Sequence, residues 1–327
     1  MHPIVHCRFF ISVFLTLASA CVAAQSGEPP GWPSRALTFV IPTPAGGAVD
    51  FAARVISEKL AERIGRPVVV EARPGADGII GAEAFLRAID TDHTFMITAG
   101  GLLINNPVTY DKLSYDAERD FVPVSMLVTD TIVICANAGF AADDLAGLVA
   151  LMRARPESLR WSGVPGEPRL RFFGFLKQLD ASALHVPYKA VSQATVDIIG
   201  GRIDVMLGGL AAVLPNVRSG KLKLIAVMSA ARSPVLPNVP SAGEAGYPVL
   251  AMVPFLGLFA RRGTDARIVD RLNREIGAIL ADGGVRGRLV EGGMTPSPGS
   301  PAQLGATIAA KLQENRELAR IVGPMSQ

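Results

Sequence analysis

Two adjacent glycines in Ala45-Gly46-Gly47-Ala48-Val49-Asp50 stand where an apolar run, Leu37-Thr38-Phe39-Val40-Ile41, hands over to a helical pattern. Bare amide N–H groups at that point can converge on an anion at the positive end of a helix. A tight turn requiring positive φ explains the same glycines, and spacing alone leaves both readings open. Asp50 falls in the first helical turn, where a carboxylate stabilises the helix dipole and can tie the loop. Three further turns repeat the plan: Arg73-Pro74-Gly75-Ala76-Asp77-Gly78-Ile79-Ile80-Gly81, Ala99-Gly100-Gly101, and Ser162-Gly163-Val164-Pro165-Gly166. Several converging amide nests suit a small carboxylate.

Signatures of catalysis are weak by comparison. The glycine spacing is not that of a dinucleotide fingerprint, and no Walker lysine motif, HExxH, CxxC or GxSxG occurs. His93 and His185 each fall at a strand edge and read as structural. Cys135 lies inside an apolar strand, which predicts a buried, inert thiol. Asp204 is assigned to a strand facing solvent or a cleft, and Tyr188-Lys189, just past a strand end, is placed to line a pocket. No metal site, no cofactor and no catalytic residue is expected.

Those turns need a framework to hold them. The chain has 327 residues, enough for about two domains. Hydrophobic residues make up 49% and charged residues 19%, so the core can offset ordering entropy. A net charge of +3, with 32 basic residues scattered among 29 acids, gives no support to nucleic-acid binding. Residues 1–24 have the form of a secretory signal peptide: a positive start closing at Arg8, an apolar stretch from Phe9 to Ala18, then small residues. Cleavage after Ala24 leaves a soluble chain beginning at Gln25; cleavage before Cys21 leaves a lipid-anchored one, the less favoured form. That apolar stretch is too short to span a bilayer, and no later one offers a long enough run without charge or Pro/Gly interruption.

Beyond residue 36, strand-like and helix-like segments alternate. Strands are expected at 37–41, 67–71, 95–98, 131–136, 158–162, 184–188, 203–207, 222–228 and 255–260, with helices after most of them. In the first helix Ala52, Val55, Ile56, Leu60 and Ile64 share one face, and Gly65 stops it. Such alternation predicts an α/β protein with mostly parallel sheets and sites at the carboxyl ends of strands.

Taken as a set, Trp32-Pro33-Ser34-Arg35, the Pro44-Ala45-Gly46-Gly47-x-x-Asp50-x-x-x-Arg54 turn and Arg73-Pro74-Gly75-Ala76-x-Gly78-x-x-Gly81-Ala82-Glu83 resemble the substrate receptors of tripartite tricarboxylate transporters, the Bug-type family. The likeness continues through Tyr115-Asp116-x-x-x-Asp120-Phe121-x-Pro123-Val124, His185-Val186-Pro187-Tyr188-Lys189 and Leu236-Pro237-x-Val239-Pro240 with Glu244-Ala245-Gly246. It implies a type II periplasmic binding-protein fold, with two α/β lobes, a ligand cleft between them and two chain crossovers. Lobe one is then 32–128 plus 252–327, and lobe two 129–251.

The same resemblance implies a periplasmic, non-enzymatic, monomeric receptor for a small carboxylate, partnered by membrane permease subunits or by a sensor kinase. It carries ligand binding onto Ala45, Gly46, Gly47, Asp50, Gly100, Ser162, Gly163, Gly166, Tyr188 and Asp204. Some positions depart from the family pattern. Glu167 and Arg169 stand where Ser or Thr and His are usual, so an acid at that helix start is expected to repel a second carboxylate or to meet it through water. Ala190, Gly208-Gly209 and Pro254-Phe255 also differ, which leaves a neutral or monocarboxylic ligand on the same footing as a tricarboxylate.

Overall fold

Strand β1 (Leu37–Ile41) buries side chains on both faces: Leu37, Phe39 and Ile41 pack into one apolar cluster and Val40 into another. A strand apolar on both sides needs cover on both sides, and that requirement sets the layering of the whole chain. A computed structural model describes residues 31–323 apart from Pro165, Lys189, Ala190 and Pro234. The expected leader at 1–24, Cys21, and the Lys189 and Ala190 positions therefore lie outside the described residues.

After β1 come α1 (Ala48–Ile64), β2 (Val68–Ala72), α2 (Ile79–Leu86), β3 (Thr94–Ala99), the short α3 (Gly101–Ile104) and α4 (Asn106–Thr109), and the long strand β4 (Phe121–Asp130). The chain then continues through β5 (Ile132–Asn137), α5 (Leu145–Ala154), β6 (Arg160–Gly163), α6 (Glu167–Gln178), β7 (Leu184–His185), α7 (Val191–Ile199), β8 (Val205–Gly209), α8 (Leu210–Arg218) and β9 (Leu222–Val227). It finishes with β10 (Phe255–Arg261), α9 (Ala266–Ala281), α10 (Gly283–Glu291), β11 (Met294–Pro296) and α11 (Pro301–Val322).

Two sheets result, with strand orders β11-β4-β10-β3-β1-β2 and β7-β6-β8-β5-β9. The first is covered by α1 and α9 on one face, through Ala52, Ile56, Leu60, Leu272 and Ile276, and by α2 and α11 on the other, through Phe85, Leu304 and Leu312. In the second, Trp161, Val205 and Leu207 face α5 and α6, whereas Cys135 and Met206 face α7 and α8. Each lobe is thus an α/β/α sandwich. The chain leaves the first sheet at the end of β4, enters the second at β5, and returns between β9 and β10. These are the two crossovers of a type II binding protein.

The sheets are mixed rather than mostly parallel. Strand β10 runs antiparallel to both β3 and β4, β11 is antiparallel to β4, and β5 is antiparallel to both β8 and β9. The parallel pairs are β1 with β2 and β3, and β6 with β7 and β8. Of the strands in antiparallel pairs, β4 and β5 flank the first crossover, and β9 and β10 flank the second.

Helix α11 also ties the lobes together. Arg171 of α6 donates to Glu314 of α11 at 2.6 Å and to Glu167 at 2.8 Å, and Lys311 of α11 stands 3.8 Å from Glu167. Gly174 is a glycine because a Cβ there would sit 2.6 Å from Leu318 Cδ1.

Candidate functional site

The turn between β1 and α1 is exposed at Ala45, Gly46 and Gly47. Gly46 adopts φ +81°, which favours glycine, and Gly47 (φ −87°) is the N-cap of α1 with no side-chain cap. The Gly46 N–H, however, donates to Asp50 Oδ2 at 2.9 Å, and Arg54 Nε donates to the same carboxylate at 2.9 and 3.0 Å. Arg54 first, then the Gly46 amide, hold the Asp50 carboxyl below its usual pKa. Asp50 therefore braces the turn, and the Gly46 amide is spent on it. The N–H groups at the start of α1 have no intrahelical acceptor, which leaves Gly47 and the two residues after it as the donors this turn presents.

Gly100 is a glycine for a different reason than the sequence implies. Its N–H donates to Phe255 O at 2.9 Å, and a Cβ there would lie 2.5 Å from the Phe255 ring. The residue is buried under β10, so it packs the sheet and does not offer an amide.

Across the cleft, β6 delivers Ser162, which is 3% exposed, and half-buried Gly163, where a Cβ would meet Trp161 at 3.3 Å and Leu207 at 3.5 Å. Gly166 has φ +94° and begins α6; a Cβ there would come within 2.8 Å of Asn105 Nδ2. Asn105 belongs to the turn after α3 in the other lobe, so the loops after β3 and β6 meet at this point. Asn105 Oδ1 accepts from Asn315 of α11 at 2.7 Å, while its Nδ2, like Arg169 Nε, His185 Nε2 and Thr43 Oγ1, is buried with no partner among the described residues.

Glu167 does not threaten an anionic ligand. It is 4% exposed and turned to Arg171 and Lys311, so its charge is spent on the link between lobes. The expectation that it repels a second carboxylate is corrected accordingly.

Tyr188 and Asp204 are directed elsewhere. The Tyr188 hydroxyl donates to Asp197 of α7 at 2.7 Å, and Asp197 also accepts from Arg202 at 2.6 Å. Asp204 precedes β8, at the amino end of a strand whose carboxyl end adjoins Gly163. There it receives Arg160 Nε and Nη2, each at 3.0 Å, and the Arg160 N–H at 2.8 Å. That is an ion pair locking β6 to β8 at the far end of the sheet. His185 stacks on Trp161 with ring centroids 4.6 Å apart, and burial, then the nearby Arg169 charge, lower its pKa.

Sequence reasoning missed Thr43 and Asn105. Thr43 sits in the very turn singled out for its glycines, and Asn105 follows the Gly100-Gly101 turn by one helical turn, so proximity to those glycines was the available signal. Among the described residues no group of three or more His, Cys, Asp or Glu side chains is arranged to hold a metal ion.

A model of the tripartite tricarboxylate transporter family receptor matches residues 52–323. The chain belongs to this receptor family. BugT of Bordetella pertussis is 30% identical over 319 residues, covering 97% of this chain and 98% of that protein. Among solved structures, R. palustris Rpa4515 with adipate superimposes with a TM-score of 0.82 at 29% identity, covering 89% of this receptor and 98% of that chain. MatC from Rhodopseudomonas palustris with bound malate gives 0.79 at 26% identity, covering 89% and 100%. The Bug-type resemblance and the two-lobe binding-protein fold are borne out. The family is one of solute receptors, not of enzymes.

Proposed function

We propose that this receptor works outside the cytoplasm, closes its two lobes on a small organic acid, and hands it to membrane permease subunits of a tripartite transporter. The observation that carries the reading is the approach of the two lobes at the start of α6, where Gly166 is set against Asn105 of the turn after α3. The uncapped start of α1 and the start of α6 each present N–H groups at a positive helix end, which suits a carboxylate. The malate and adipate carried by MatC and Rpa4515 support this ligand class.

In this reading Ala45, Gly47, Ser162, Gly163 and Gly166 line the ligand with main-chain groups, and Thr43, Asn105 and His185 add side-chain ones. The lobes are drawn at 32–128 plus 252–327 and at 129–251, moving about the crossovers as a hinge. Residues 1–24 are the export signal. No covalent step is involved.

A thermal-shift screen of the purified receptor against organic acids, amino acids and vitamins tests the reading. A ligand at 100 times its Kd stabilises by about 2.7 kcal/mol. Organic acids are expected among the hits; stabilisation by neutral vitamins alone would overturn the ligand class, and chemical turnover of a hit would overturn the receptor role.

A further inference from the structure

Arg169 lies in the first turn of α6, two residues after Glu167. Residues two apart on a helix point to opposite sides, so the two charges are not neighbours. Glu167 goes to Arg171 and Lys311, on the α11 side. Arg169 is left without that acid, and its Nε is buried with no acceptor among the described residues.

Other arginines of lobe two show what a structural arginine does in this fold. Arg171, 3% exposed, satisfies Glu167, Glu314 and the Val249 carbonyl; Arg160 grips Asp204 with two nitrogens. Burying a guanidinium N–H without a partner is unfavourable, and a fold that pairs Arg171 so thoroughly does not need Arg169 for packing.

Gly166 and Arg169 stand three residues apart at the start of α6, on one face of the helix, and Gly166 is set against Asn105 of lobe one. The Arg169 charge also bears on His185 in lobe two and on Tyr110, which follows α4 in lobe one and donates to Asp77 at 2.8 Å. The face of α6 that carries Arg169 therefore borders lobe one. Beside it are Gly166, at the helix start touching Asn105, and His185 with its unpartnered Nε2. In the turn before α1, the Asp50 charge is matched by Arg54, which leaves the uncapped helix start without a neighbouring unpaired acid of its own.

We propose that Arg169 is the side-chain anchor for a second acidic group of the ligand, so that the receptor selects dianions whose other carboxylate sits at the start of α1. The proposal rests on the carboxylate-receptor reading above. A planar guanidinium presents paired donors that match a carboxylate, and the α6 dipole adds to its field. A ligand with only one acidic group leaves the Arg169 donors unmet.

Calorimetric titration of the purified receptor with adipate against hexanoate, and succinate against butyrate, reads this directly. At least one diacid is expected to bind ten-fold or more tightly than its matched monoacid. Arg169→Gln is expected to collapse that ratio to within two-fold of one, and Arg169→Lys, which keeps the charge but not the fork, to give an intermediate ratio. The unliganded melting temperature of each variant reports folding. Equal binding of diacid and monoacid by the unaltered receptor overturns the Arg169 role while leaving the carboxylate reading in place, and so does a ratio unchanged in Arg169→Gln. Failure of all four acids to bind counts against the carboxylate reading itself and takes this proposal with it. If Arg169→Gln does not fold, the ratio in the unaltered receptor and in Arg169→Lys still decides.

Discussion

The Gly46 backbone N–H donates to Asp50 Oδ2, one helical turn ahead in the chain, at 2.9 Å. This bond separates two glycines that look equivalent in the sequence. Gly46 is required by its backbone, with φ +81° and open space where a Cβ would stand; Gly47, at φ −87°, is not. Gly46→Ala is expected to destabilise the fold by about 1 kcal/mol, through left-handed strain. Gly47→Val introduces a poor N-cap, at about 0.5–1 kcal/mol, but sets its side chain at the mouth of the α1 amides. Thermal melts should show both folded, and titration with adipate should show the larger affinity loss, ten-fold or more, in Gly47→Val. Unchanged affinity in Gly47→Val would remove the α1 start from the site.

Arg171 and Glu167 are 3% and 5% exposed at their side chains, and they form the buried part of the link from α6 to α11. Removing the cation leaves a buried carboxylate facing only Lys311 at 3.8 Å. Arg171→Met is therefore expected to lose about 3 kcal/mol of stability, whereas Glu167→Gln with Arg171→Met should recover most of it, because no charge is then buried unpaired. Urea denaturation of the single and double variants measures this, and a double variant no better than the single would show that Glu314 carries the link instead.

Asp130 ends β4 at the first crossover, where Oδ1 accepts the Thr131 N–H at 2.7 Å and Oδ2 faces Gly209. No cation pairs with it among the described residues, and burial pushes its pKa up to about 6. The ordinary value is 3.8, so the folded chain binds more protons than the unfolded one between those limits. Stability from this group is full below about pH 4 and lost as pH rises through 6, on the order of 2–3 kcal/mol. Asp130→Asn should flatten this part of the stability profile between pH 4 and 7 and raise stability at pH 7. An unchanged profile in the variant would place the titration elsewhere.

Much of this architecture was legible from periodicity: strand, glycine turn and helix recur, and β1, α1, β2 and β3 fall close to their expected places. Strand direction was not. An apolar run such as Phe255 to Arg261 reads the same in either sense, and β10 is antiparallel to both of its neighbours. Strand β4 escaped because Pro123, Ser125 and Thr129 interrupt the apolar pattern; two register shifts against β10 accommodate it. At the site, glycine turns were visible, but what each amide bonds to was not. Gly100 is claimed by Phe255 and Asp204 by Arg160, partners respectively 155 and 44 residues away in sequence. Such pairings are set by packing, which no local pattern records.

Cys135 supplies a probe of lobe two. It is fully buried on β5, its Sγ lies 3.5 Å from the Met206 carbonyl, and burial pushes its pKa up to about 12. In a chain that begins at Gln25 it is the one remaining thiol, since the other two cysteines are Cys7 and Cys21. The thiolate is the reactive form, so both access and ionisation protect it in the folded state. Iodoacetamide at pH 8 is expected to leave the native receptor unmodified over hours and to label it rapidly in denaturant. Labelling must then wait for the α7 and α8 layer over Cys135 to open, and its rate reports that opening. A saturating diacid that holds the lobes together should slow labelling if opening of that layer is coupled to the cleft. Rapid modification of the unliganded, folded chain would show instead that the α7 and α8 layer lifts away from β5 without unfolding.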